Sequence, residues 1–472
     1  MTTFIAAFFV LLVFSGATWF LLGRYAKKHP YAKRIFLFAL CVHAVAAFGI
    51  YYTEFYPFGM GDQERYQTAA ELVASDFRAG VFSLDRISSH LYITSAAHWY
   101  PVVLGSVYAV SVPDRLVGMV LNAWIAALSI LIVFFLALEI SKSSRGAFWA
   151  GVVASLYPAH VYFGSLLLKD ATVVLLALAG LLFAVKIMQR FSPRYVIAFG
   201  IALALLFHFR FYIGVALLYA FSFSWPFIRG FTWKQKVQYG TFTLLSLGLI
   251  PSFLGYGYYA LDIVAHYTRI DQIELYRESA YIFENSPDVQ VGENQGQGVE
   301  GSTIVVEEEV AGSKPEAAGL ASVQGEEQSA PKGAGGSTVI VKVGDGPLSF
   351  IRNYLVSLSF VSLGPFPWHF SLPQHYFAFV EVIPWWILLF FIVLGVRKRW
   401  REWQVFLPLL LFALGTLVML ALLIDNFGIY MRLRMPVFLV LLAFLAVPLS
   451  RMSKNQLYEI IRYWRRRFHR LA

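Results

Sequence analysis

The stretch "LLLKDATVVLLALAGLLFA", residues 166–184, decides what kind of protein this is. From Ala171 to Met188 this run carries a single charge, Lys186, and comes close to the roughly 20 residues that a helix needs to cross a bilayer core. Lys169 and Asp170 stand at its head, two opposite charges between greasy runs. Similar apolar runs recur along almost all 472 residues, which are 58% hydrophobic, 17% aromatic and 14% charged. Soluble domains carry about 25% charge. The chain therefore reads as all-α, a polytopic transmembrane helical bundle.

Eleven spans are predicted, at 3–23, 35–53, 115–138, 146–166, 171–188, 195–209, 211–228, 237–258, 377–396, 404–424 and 435–450. The first apolar run, Thr3–Leu22, has no basic region ahead of it and no small-residue cleavage site behind it, so it reads as a retained span. Two shorter apolar stretches, 91–111 and 348–363, read as helices lying at the outer interface.

The net charge of +10 is not a nucleic-acid footprint. Lys and Arg gather at 24–34, 142–145, 186–194, 229–236 and 397–401 and in the tail "RRRFHR" (465–470). Such segments face the cytoplasm, and the tail also suits anionic membrane lipids. This places the N-terminus outside and the C-terminus inside. The single cysteine, Cys41, excludes a disulfide within the chain and a cysteine zinc cluster. Histidines 98, 160, 208, 266, 369 and 375 show no metal-ligand spacing. No metal ligand is assigned, and a divalent cation stays open as a cofactor.

Four regions follow. Residues 1–258 form an N-terminal membrane region whose first outer loop is 54–114. Residues 259–347 form a long outer loop, rich in Gly, Ser, Glu and Gln from 285 and expected to be disordered there. Residues 348–450 form a second membrane region, and 451–472 a basic cytoplasmic tail. In the first outer loop, Tyr66, Ala69, Ala70, Val73, Ala74 and Phe77 recur at helical spacing and predict an amphipathic helix.

The informative polar residues fall on the outer side. They are Asp62 and Glu64 in "GMGDQERYQTAAELV" (59–73), Lys169 and Asp170, Arg210 in "HFRFYI", Trp368 in "GPFPWHF", and Arg432 and Arg434 in "DNFGIYMRLRMP" (425–436). A charge at mid-bilayer costs about 2.5–3.5 kcal/mol on insertion scales, so these charges predict a shared wet cavity. Acids and arginines together suit a charged lipid or a sugar. Plainer readings exist for each. Asp62 after Gly61 suits a helix N-cap, Lys169–Asp170 a local ion pair, the arginines lipid headgroups, and "PFPW" an aromatic-belt turn.

Together these residues resemble the GT-C class of membrane glycosyltransferases, in particular bacterial relatives of protein O-mannosyltransferases and lipid A aminoarabinose transferases. That class carries D-[DE]-x-x-Y-x-x-x-A in its first outer loop. Asp62, Tyr66 and Ala70 match, while Gln63 replaces the second acid and Glu64 follows it. Asp170 resembles the acid that opens a later span. Arg432, Arg434 and Pro436 match R-x-R-x-P ahead of the last spans.

The resemblance implies a GT-C-like fold in the inner (plasma) membrane and a polyprenyl-phosphate-linked sugar donor. The acceptor would be a glycan, lipid or protein on the outer face. Asp62 would take the acceptor proton. Arg432, Arg434, Arg210 and Lys169 would hold phosphate, with Glu64, Tyr66, Asp170 and Trp368 completing the substrate site. The rival readings are an O-antigen-type polysaccharide polymerase or ligase, dependent on outer arginines, and a lipid or glycan transporter.

Overall fold

A computed structural model describes residues 2–57, 60–94, 99–269, 347–366, 373–424 and 427–451. Trp368, the tail and most of the 259–347 loop lie outside the described residues, as do the expectations attached to them. Within them the chain is helical, with no strand. The first half comprises α1 (Thr2–Ala26), α2 (Tyr31–Thr53), α3 (Gly61–Arg78), α4 (Leu84–Ile93), α5 (Tyr100–Ala109) and α6 (Arg115–Ser141). After α7 (Ser144–Ser155) and α8 (Pro158–Phe163) come α9 (Asp170–Gln189), α10 (Pro193–Ser224), α11 (Trp233–Phe253) and α12 (Leu261–Tyr267). The C-terminal region holds α13 (Pro347–Leu363), α14 (Pro373–Lys398), α15 (Trp403–Leu423), α16 (Phe427–Leu433), α17 (Met435–Leu442) and α18 (Ala446–Arg451).

Among the described residues, seven helices are long and apolar enough to cross a membrane. This is a multi-pass membrane protein. One of the seven, Pro193–Phe227, is 35 residues long and covers two expected spans. Arg210 interrupts it with non-helical backbone (φ −162°, ψ 88°). The Phe199 and Phe221 rings lie 4.6 Å apart, where a straight helix would separate them by about 33 Å. The chain thus doubles back at Arg210 into two antiparallel halves.

Three other expected spans take different forms. The 146–166 span is split into α7 and α8, because Pro158 opens α8 and holds Tyr157 extended (ψ 115°). The 237–258 span bends by 81° into the helix that follows it, and Met435–Arg451 is apolar but short.

The middle of the bundle is α6 and α9, each 67% buried over its apolar window, against 22% for α1. Asp114 starts α6, its carboxylate accepting from Leu116 N at 2.8 Å. The basic segments meet at one end of the bundle. There Glu139 pairs with both Lys142 and Lys186, and His29 meets Ser144 at 3.2 Å. Arg229 donates to Gln404 and to the Arg401 carbonyl, each at 2.9 Å. Also at this end, Gly146 lets α7 lie directly against the Ala446 carbonyl, where a Cβ would stand 2.3 Å away.

The opposite end carries the amphipathic helix foreseen in the first outer loop. In α3 the side chains of Tyr66, Ala69, Ala70, Val73 and Ala74 are buried. They face α5, with the Tyr66 and Tyr100 rings 5.4 Å apart, and Tyr108 Oη donates to Gln67 at 2.7 Å.

Candidate functional site

The site begins with a short irregular turn, residues 164–169, which leads into α9. Its side chains are buried throughout, and non-helical backbone in a membrane protein needs internal partners for its polar groups. Asn122, fully buried in α6, donates from Nδ2 to the carbonyls of Leu166 (2.6 Å) and Leu168 (2.8 Å). Gln63 accepts from Leu167 N at 3.2 Å, and Ser165 donates to the His43 carbonyl at 3.1 Å. These contacts fix where Lys169 and Asp170 stand.

Asp170 is 1% exposed and sits between two guanidinium groups. Its Oδ1 lies 3.1 Å from Arg210 Nη2. Its Oδ2 accepts from Arg432 Nε (3.1 Å) and Nη2 (2.8 Å). Arg432 also donates from Nη1 and Nη2 to Asp62 Oδ2, at 3.2 and 3.1 Å. One guanidinium thus bridges two acids from distant parts of the chain. The two contacts differ in character, because the Asp62 side chain is 45% exposed and that of Asp170 2%.

These residues border a cavity of about 250 Å³, lined by Asp62, Arg65, Tyr66, Lys169, Arg210, Tyr212, Ile429, Arg432 and Leu433. Three arginines and Lys169 face it, against Asp62 in its wall and Asp170 behind. Arg210 reaches it because the chain reverses there, its guanidinium 5.7 Å from the Tyr212 ring centre. Burial pushes the Tyr66 phenol up, helped by the Asp62 charge. Lys169, at 6% exposed, is pushed down to about 6, first by burial and then by the Arg210 charge.

Asp62, Tyr66, Lys169, Asp170, Arg210 and Arg432 are therefore brought together. Glu64 and Arg434 are not. Glu64 is exposed on α3 and does not line the cavity. Arg434, expected beside Arg432 on a phosphate, is 1% exposed and committed elsewhere. It donates to Glu381 Oε1 (2.6 Å) and to the carbonyls of Val361 (3.1 Å) and Gly364 (2.8 Å). Tyr157 Oη donates to the same Glu381 oxygen at 2.7 Å. Arg434 and Glu381 are a buried clasp between helices.

Asp62 is not the N-cap of α3 either. Met60 holds that place, and Asp62 lies in the first turn, where the helix dipole favours a carboxylate. The expected local Lys169–Asp170 ion pair is replaced by the bonds from Asp170 to Arg210 and Arg432.

Sequence reading passed over Arg65, Asn122, Gln63 as an inward-facing residue, and Glu381. Asn122 and Glu381 carried a signal, being strongly polar side chains inside apolar spans. A divalent cation does not fit this site. The Arg432 guanidinium fills the space between the two acids, and among the described residues no three His, Cys, Asp or Glu side chains converge.

Comparison with models of known protein families, with curated proteins and with solved structures gives no match.

Proposed function

We propose that this chain is a membrane glycosyltransferase. It moves a sugar from a polyprenyl-phosphate-linked donor to a glycan, lipid or protein acceptor on the outer face of the cytoplasmic membrane. The observation that carries this reading is Arg432 bridging the half-exposed Asp62 and the buried Asp170 at a cavity with surplus positive charge. The chemistry is that of the GT-C class, which the sequence resembles.

The donor phosphodiester brings one negative charge. It competes with Asp62 for Arg432, while the buried bond to Asp170 keeps the guanidinium in place. Arg210 and Arg432 offer planar donor forks that suit phosphate oxygens. Ile429 and Leu433 supply an apolar wall on the same cavity.

Released from Arg432, Asp62 accepts the proton of the acceptor hydroxyl as that oxygen attacks the anomeric carbon. The bond from that carbon to the phosphate oxygen breaks, and its electron pair stays on the phosphate. The lipid leaves as a monophosphate, with one more negative charge than the donor carried. Cations placed where charge develops favour that step.

The test is a reconstitution of the full chain in liposomes with a polyprenyl-phosphate hexose labelled in the sugar. The reading expects acceptor-dependent release of polyprenyl monophosphate with the label on the acceptor. Movement of intact donor between leaflets without cleavage would make the protein a transporter. Growth of a chain on a polyprenyl diphosphate would make it a polymerase.

A further inference from the structure

Lys169 is a buried basic side chain of the cavity that, among the described residues, has no partner within the chain. It is 94% buried, lines the cavity, and among the described residues no hydrogen bond or ion pair holds its ammonium group. The acids near it are already engaged. Asp170 gives one oxygen to Arg210 and the other to Arg432, and Asp62 binds Arg432. The charged and titratable groups that face Lys169 are Asp62, Arg65 and Tyr66 from α3, Asp170 from α9, Arg210 and Tyr212 from α10, and Arg432 from α16.

Resting on the phosphate reading above, we infer that Lys169 recognises the phosphate of the lipid-linked donor and gains its charge with that ligand, so that binding takes up one proton.

Two features support this. Burying an ammonium is costly, and the guanidinium of Arg210 adds repulsion; together these outweigh the attraction of Asp170 and Asp62 and hold Lys169 low, at about 6. Without a counter-charge beside it, Lys169 is therefore a neutral amine at neutral pH. A phosphodiester seated among Arg210, Arg432 and Lys169 supplies the missing counter-charge and raises the amine's affinity for a proton. The proton comes from solvent. No bond other than N–H forms, so the step balances. When the donor is cleaved, the second charge on the lipid monophosphate meets an ammonium already in place.

The experiment is isothermal titration of the detergent-solubilised full chain with a prenyl methyl phosphodiester, whose single charge does not titrate near neutrality. Titrations at pH 8 in two buffers of different ionisation enthalpy give the protons taken up. Inorganic phosphate and the matching prenyl alcohol serve as separate arms.

The expected result is uptake of about one proton, and an affinity that falls about tenfold per pH unit above pH 7. Neither the alcohol nor inorganic phosphate is expected to match the diester. Lys169→Arg, permanently charged, is expected to keep binding at pH 9 with no proton uptake. Lys169→Met is expected to bind more weakly and independently of pH. The wild-type titration decides even if neither variant folds.

Saturable diester binding without proton uptake would overturn the coupling at Lys169 and leave the phosphate reading standing. Inorganic phosphate binding as tightly as the diester would overturn the lipid-linked ligand. Absence of diester binding would overturn the phosphate reading itself.

Discussion

Arg432 and Asp170, 262 positions apart, share two hydrogen bonds, from Nε at 3.1 Å and Nη2 at 2.8 Å to the same carboxylate oxygen. Asp170 is the buried counter-ion that holds both Arg432 and Arg210 toward the cavity. Asp170→Asn keeps the side chain's size and removes its charge, leaving two guanidinium groups without their shared partner. Breaking a buried ion pair costs about 3–5 kcal/mol, so a clear drop in detergent melting temperature is expected. An unchanged melting curve would rule out the counter-ion role.

The clasp between Arg434 and Glu381 gives a second expectation. Neither side chain lines the cavity, and both are almost fully buried. Arg434→Met and Glu381→Leu are each expected to destabilise by about 3–5 kcal/mol, with the double variant recovering much of the loss. The measurement is a double-mutant cycle on thermal stability. Additive losses would show that the two residues are not coupled.

Sidedness is checked with single cysteines in a Cys41→Ser background. Glu64 is exposed beside the cavity, and Lys142 is about half-exposed at the basic end. Glu64→Cys is expected to react with an impermeant maleimide on intact cells, and Lys142→Cys after permeabilisation. Labelling of both from one side would separate the basic end from the cytoplasm.

Much of the cavity was legible because Asp62, Asp170, Arg210 and Arg432 each interrupt apolar sequence on the same side of the alternating spans. Hydropathy and charge suffice to find such breaks. They do not tell which way a side chain points once the break folds. Arg434 illustrates this: its N–H bonds to the Tyr430 carbonyl at 2.9 Å, so the helical path continues through it. Residues two apart on a helix do not share a face. Arg432 therefore turns to the cavity while Arg434 turns to Glu381.

The same geometry separates Asp62 from Gln63, whose buried amide braces the turn before Asp170. The N-cap eluded sequence reading for another reason. Helix starts shift by one or two residues, and here α3 begins at Gly61, ahead of the acid. The doubled helix at Arg210 was visible as a charge between two apolar halves, and the break before Pro158 as a proline inside an apolar run.

Whether Asp62 takes the acceptor proton is read from the turnover of wild type and Asp62→Asn with a polyprenyl-phosphate sugar, beside a melting curve for each. The Asp62–Arg432 contact is partly exposed, so its loss costs about 1 kcal/mol or less, and the variant is expected to stay folded. Turnover is expected to fall by about 10²–10⁴-fold, while donor binding persists or tightens because Arg432 loses a competitor. A folded Asp62→Asn variant that turns over at the wild-type rate would show that Asp62 is not the base.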